Sequence, residues 1–232
     1  MMKDEMLMHK LHVLEHMVED GFEKICIEYP AMREMGGTLF LGKYYARPDG
    51  IILMLGINPG IISGELTLNT RLQEKNELLI NPLEETNIKY WKNARILFNT
   101  TGFLKSRLEK ATFSFCCPYR TEEWKGTMKS ILLENSLPIM TQMLIDCKPD
   151  YIILAGVTSL KLIQSSHLLK PPLQITSESD VVYYDNIYQW KRVYTKWESR
   201  DISLLQIPHL SRAHGRQRLE ESGYWLDKQI RA

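Results

Sequence analysis

The chain has 232 residues, enough to bury one substantial core, with 44% hydrophobic and 25% charged residues and a formal net charge of +1. That balance excludes a disordered, fibrous or collagen-like protein, and a charge so near zero carries no global signal for nucleic acid. Four scattered cysteines (Cys26, Cys116, Cys117, Cys147), with no Cys-x-x-Cys pair, exclude a disulfide scaffold and give no zinc or iron–sulfur motif.

In chain order, residues 4–19 place Met6, Leu7, Leu11, Val13, Leu14 and Met17 at helical spacing. They predict an amphipathic helix without the unbroken apolar core of a signal peptide. His9, His12 and His16 fall on similar faces of it. Imidazoles at i and i+4 can bind a metal, but no third ligand is near, so they are read as surface histidines and no metal site is assigned. Residues 28–49, punctuated by Pro30, Gly36, Gly37 and Pro48, predict a loop.

The run "GIILMLGI" (50–57) predicts a buried strand ending at Asn58-Pro59-Gly60. It is far shorter than the roughly 18 residues that span a bilayer, so a cytoplasmic protein without a membrane partner is expected. Residues 86–100 predict a helix capped by Thr86 or Asn87. "ATFSFCC" (111–117) predicts a second strand, with Cys116 and Cys117 facing opposite sides as reduced core residues. Helices are expected at 121–134 and 136–147, split near Ser136 and Pro138. "YIILAG" (151–156) predicts a third strand leading into a short helix, 159–166. "LLKPPLQITSESD" reads as a connection, and "VVYYDNIYQWKRVYTKW" as a hairpin turning at Asp185-Asn186. A fourth core strand, 202–208, and a helix around 216–230 close the chain.

Apolar strands alternating with helices predict an α/β fold: a three-layer α/β/α domain over 1–232, with a central, mainly parallel four-stranded sheet and its core at about 50–218. Ligands of such sheets bind outside the carboxyl ends of the strands. Asn58-Pro59-Gly60, Cys117-Pro118-Tyr119, Gly156-Val157-Thr158 and His209-Leu210-Ser211 would therefore converge on one crevice. No Walker loop, dinucleotide-binding glycine pattern or G-x-S-x-G elbow is present. Lys191, Arg192, Lys196, Arg200, Arg212, Arg216 and Arg218 outnumber Glu198 and Asp201 in their stretch, which is compatible with a phosphate-facing surface.

The strand ends carry a distinctive set of strings. "LMLGINPG" (53–60) resembles the first active-site motif of mismatch-specific and single-strand-selective glycosylases of the uracil-DNA glycosylase superfamily. "IKYWKNARILFNTTGF" (88–103), "FSFCCPYR" (113–120), "PDYIILAGVTSLKLI" (149–163) and "LLQIPHLSRAHGR" (204–216) resemble further segments of that superfamily, in the expected order. The resemblance covers roughly residues 50–218. It implies a monofunctional DNA N-glycosylase: a monomer, without cofactor, that flips a base out of DNA and excises it by hydrolysis.

In that reading Asn58 orients the attacking water and His209 donates a hydrogen bond to the departing base. Gly56, Ile57, Pro59, Gly60, Phe115 and Tyr119 form the base pocket. Ser211, Arg212, His214 and Arg216 hold DNA, and Arg212 can fill the gap left by the extruded base.

The departures from the pattern concern specificity. Phe115 stands where uracil-cleaving relatives place an Asn that reads the base, and a phenyl ring offers no such readout. Residues 61–70 lack the usual stacking Phe, and Leu210 replaces the Pro of the closing motif. Gly60 stands where strict uracil enzymes carry a Tyr that blocks the pyrimidine 5-position. These features point to a modified pyrimidine, such as the hypermodified cytosines of phage DNA, and to antiviral defence beside repair. The alternatives are repair of uracil or hypoxanthine, or a non-catalytic module of the same fold that binds a nucleotide or modified base.

Overall fold

The computed structural model describes residues 2–34, 51–57, 89–108, 110–119, 126–164, 173–178, 182–184, 188–210 and 215–232. The helices are α1 (Met2–Glu28), α2 (Lys89–Phe98), α3 (Gly102–Leu108), α4 (Gly126–Cys147), α5 (Val157–Gln164) and α6 (Arg216–Arg231). The strands are β1 (Ile52–Gly56), β2 (Thr112–Phe115), β3 (Tyr151–Ala155), β4 (Gln174–Glu178), β5 (Val182–Tyr184), β6 (Tyr188–Trp197) and β7 (Arg200–Ile207). A short 3₁₀ turn, Pro30–Glu34, follows α1.

Among the described residues, the expected mainly parallel four-stranded sheet is corrected to a mixed, seven-stranded one of order β2-β1-β3-β7-β6-β4, with β5 pairing β6. β2, β1, β3 and β7 are mutually parallel, while β6 runs antiparallel to β7, β4 and β5. The extra strands come from two hairpins. One, β5–β6, is the hairpin read from the sequence. The other joins β6 to β7 through the two-residue turn Glu198-Ser199, with Glu198 at a φ of 54° and Trp197 opposite Arg200. β4 forms where a connection was expected.

Side chains alternate across the sheet and supply two cores. Leu53, Leu55, Ile152, Leu154 and Leu204 face α1, α4 and α5. Ile52, Met54, Phe113, Phe115, Ile153 and Ile207 face α2, α3 and α6. Helices thus cover both faces, which is why β1 and β3 are apolar along their length rather than alternating.

α1 is longer than its expected span. The stripe Leu11, Leu14, Val18 continues through Phe22 and Ile25 into the same buried cluster, and that burial outweighs the helix cost of Gly21. α4 is one helix through Pro138 rather than two. Pro138 is exposed, while Leu132, Leu137, Ile139 and Met143 on both sides of it enter one buried cluster. Among the described residues, no helix is long and apolar enough to cross a membrane.

Candidate active site

Because β1, β2, β3 and β7 are parallel, their carboxyl ends share one edge of the sheet. The β1–β2 ladder runs past β2, with Cys116 N donating to Gly56 O at 2.8 Å and Cys117 N to Ile57 O at 2.9 Å. On the other side, Gly156 N donates to Ile207 O at 2.8 Å. These bonds bring the residues after each strand together.

Gly56 and Gly156 allow this close approach. A methyl group on Gly56 would stand 2.9 Å from Phe115 Cδ1. Gly156 has a φ of +102°, and a methyl there would stand 3.1 Å from His209 Cδ2. Only glycine accommodates that backbone angle without strain. The imidazole of His209 therefore lies across the end of β3, while the Phe115 ring lies across the end of β1.

Between these ends stands Tyr90, on the first turn of α2. Its ring meets the His209 imidazole edge to face, with centroids 5.9 Å apart. Its hydroxyl would lie 3.3 Å from a methyl on Gly56. Burial first, and then the neighbouring Cys116, push the Tyr90 phenol well above its ordinary range. It is a neutral hydrogen-bond donor at any physiological pH. Asn93, one turn on, donates to the carbonyl of Leu210 at 2.6 Å and so ties the chain after His209 to α2.

The cysteines at this edge are chemically quiet. Burial pushes Cys116 up to about 12, reinforced by Cys117 and opposed by a hydrogen bond with Ser159. Burial likewise pushes Cys117 up to about 12, against hydrogen bonds from Ser136 and to the Tyr119 carbonyl. Neither supplies a thiolate nucleophile. Both side chains join the α1–α4 core rather than facing opposite sides, because β2 ends at Phe115 and the chain bends there.

Of the residues expected at the site, Gly56, Ile57, Phe115 and His209 are gathered at this edge. Tyr119 is not: it is fully buried on the opposite face, its hydroxyl donating to Val18 O of α1 at 3.3 Å and its ring stacked on Phe22. Arg216 opens α6, exposed and paired with Glu220 at 2.7 Å. Asn58, Pro59, Gly60, Ser211, Arg212 and His214 lie outside the described residues. The described chain reaches Ile57, the residue before Asn58.

The basic run from Lys191 to Arg218 does not gather on one surface. Arg192 is buried and donates to Gln229 O and Ser203 Oγ. Arg200 pairs with Asp150 at the amino end of β7, the end opposite His209. Cations gather instead between α2 and α6, where Lys92, Arg95 and Arg216 line a groove of about 540 Å³ with Asn99, Glu220 and Tyr224. Tyr224 is 61% exposed. Tyr90, Lys92, Arg95 and Asn93 were not singled out from sequence. The i,i+3 spacing of Lys92 and Arg95 on a helix was the available signal. Among the described residues, no group of three or more His, Cys, Asp or Glu side chains is placed to hold a metal ion.

No family model matches the chain, and no match is found among curated proteins.

Proposed function

We propose that this chain is a monofunctional DNA N-glycosylase that takes an extruded, modified pyrimidine into the crevice at the strand ends and hydrolyses its bond to the sugar. The observation that carries this is the juxtaposition of His209, Tyr90, Phe115 and Gly56 at the carboxyl edge, with Gly56 two residues before Asn58 in the chain.

The chemistry asks little of the protein in covalent terms. The C–N bond breaks, the sugar carbon gains cationic character, and the base leaves with negative charge. The water oxygen then bonds to that carbon, and its proton ends on the base. His209, as a hydrogen-bond donor at the crevice, stabilises charge on the departing base. Asn58 orients the water without acting as a strong base. The buried thiols take no part.

Phe115 is only 6% exposed and covers Gly56. An apolar wall there selects by shape and stacking rather than by hydrogen-bond readout, so discrimination against other bases is modest. The cations of the α2–α6 groove suit the phosphates flanking a flipped nucleotide, and Tyr224 offers an exposed ring for a neighbouring base.

The test is incubation of the protein with DNAs carrying uracil, hypoxanthine, 5-substituted uracils or hypermodified phage cytosines, followed by alkali to cut abasic sites. Excision of a 5-modified pyrimidine faster than uracil is expected. Fast, exclusive removal of uracil overturns the assignment of Phe115. Binding of modified DNA without any abasic product turns the protein into a recognition module of the same fold.

A further inference from the structure

Away from the crevice, α1 exposes two imidazoles one turn apart. His12 and His16 are both solvent-exposed, and their Nε2 atoms stand 3.0 Å from each other. The rings meet edge to face with centroids 4.2 Å apart. Each ring also faces a carboxylate with its other nitrogen. His12 Nδ1 lies 3.4 Å from Glu15 Oε2, and His16 Nδ1 lies 3.4 Å from Glu19 Oε2.

A neutral imidazole has one N–H and one lone pair. A carboxylate at Nδ1 favours the tautomer with its proton there, which leaves the lone pair on Nε2. The two Nε2 atoms share a hydrogen bond, so one proton lies between them, and a metal ion that displaces that proton meets both Nε2 lone pairs. Metal-ligating histidines characteristically carry such a carboxylate behind the ring, and it raises the basicity of the ligating nitrogen.

The spacing narrows the ion. Two imidazole nitrogens at about 2.0–2.1 Å from a metal are about 2.9 Å apart when they subtend a right angle, and about 3.3 Å apart at the tetrahedral angle. The observed 3.0 Å fits adjacent positions of a square-planar or octahedral ion. Among first-row divalent ions, the order of affinity peaks at copper, and copper and nickel favour that geometry.

We propose that His12 and His16 form a bidentate surface site for a divalent transition ion, Cu²⁺ before Ni²⁺ before Zn²⁺, with water completing the coordination. Glu15 is nearly buried and Glu19 partly so, which makes them the groups that set ring orientation. The site lies on the helix that covers the α1–α4 core, on the other side of the sheet from Tyr90 and Phe115. It does not depend on the glycosylase assignment.

The test is calorimetric titration of the untagged chain with Cu²⁺, Ni²⁺ and Zn²⁺ salts, with electron paramagnetic resonance of the copper form. One Cu²⁺ per chain with two nitrogen ligands is expected. His12→Ala and His16→Ala should each weaken it at least tenfold, and the Glu15→Gln/Glu19→Gln pair by roughly 10–100-fold with the same ligand count. His9→Ala should leave binding unchanged. Circular dichroism confirms that the helix persists in these surface variants. Copper binding that is equal in the parent and in both His→Ala variants overturns the site, as does an equal loss in His9→Ala.

Discussion

At the carboxyl end of β2 the two faces of the sheet diverge. Toward α1 and α4, Cys116, Cys117 and Tyr119 are completely buried, and Tyr119 is bonded to the backbone of α1. Toward α2 and α6, Tyr90 and His209 are only half-buried, and those two helices also frame a groove with three cations. Neighbouring residues of one segment, 115–119, thus serve two purposes. Phe115 belongs to the open side and Tyr119 to the sealed one. The difference teaches that sequence adjacency to a strand end does not place a side chain in the crevice; the face it occupies does.

On the proposed glycosylase reading, substitutions on the two sides separate activity from stability. The largest effect is expected for Asn58→Ala, which should slow single-turnover excision by roughly 10²–10⁴ while DNA binding and melting temperature hold. An unchanged rate removes Asn58 from the mechanism. His209→Ala comes next, with roughly a 10²-fold loss in the same assay. A fall in melting temperature with no loss of rate would move His209 to the structural side.

On the sealed side the readout is stability. The buried thiols of Cys116 and Cys117 sit near 12, above the ordinary thiol value of about 8.5. The folded state therefore holds these protons more tightly than the unfolded state. Their contribution is intact below the unfolded value and is lost as pH climbs toward 12, at about 1.4 kcal/mol per pH unit for each thiol. Urea midpoints measured from pH 8 to 11 should fall more steeply for the parent than for a Cys116→Ala/Cys117→Ala variant. Parallel curves would mean that the thiols are not sealed. The smallest effect belongs to Tyr119→Phe, which removes one donor and should cost about 1 kcal/mol with excision unaltered. Slower excision at full stability would return Tyr119 to the base pocket.

The central strands were legible because burial on both faces leaves apolar runs, unbroken in Ile52–Gly56 and Tyr151–Ala155 and interrupted only by Ser203 and Gln206 within the buried part of Arg200–Ile207, and all three fall close to their expected limits. β4 was not legible. Gln174, Ile175, Thr176 and Ser177 are all exposed, and the strand is held by hydrogen bonds to β6, so no hydrophobic pattern marks it. Pro138 read as a break because propensity ignores the burial of Leu132, Leu137, Ile139 and Met143 on both sides of it. At the site, the strand ends were readable from topology, but Tyr90 was not. It reaches the strand ends from a helix that is distant in sequence from β7, and the tertiary packing of α2, with the Asn93–Leu210 hydrogen bond, brings it to His209.

The strand order has a consequence for synthesis. β1 pairs Leu53 with Thr112 and Ile52 with Tyr151, so neither partner exists when β1 is made. At roughly 5–20 residues per second, a ribosome needs several seconds to reach the first and longer to reach the second. By contrast, β6 and β7 can close as a hairpin within microseconds of their emergence. For those seconds "ILML" is an unpaired apolar segment on a nascent chain. Until its sheet exists, that stretch is a binding site for a chaperone that takes extended apolar chain.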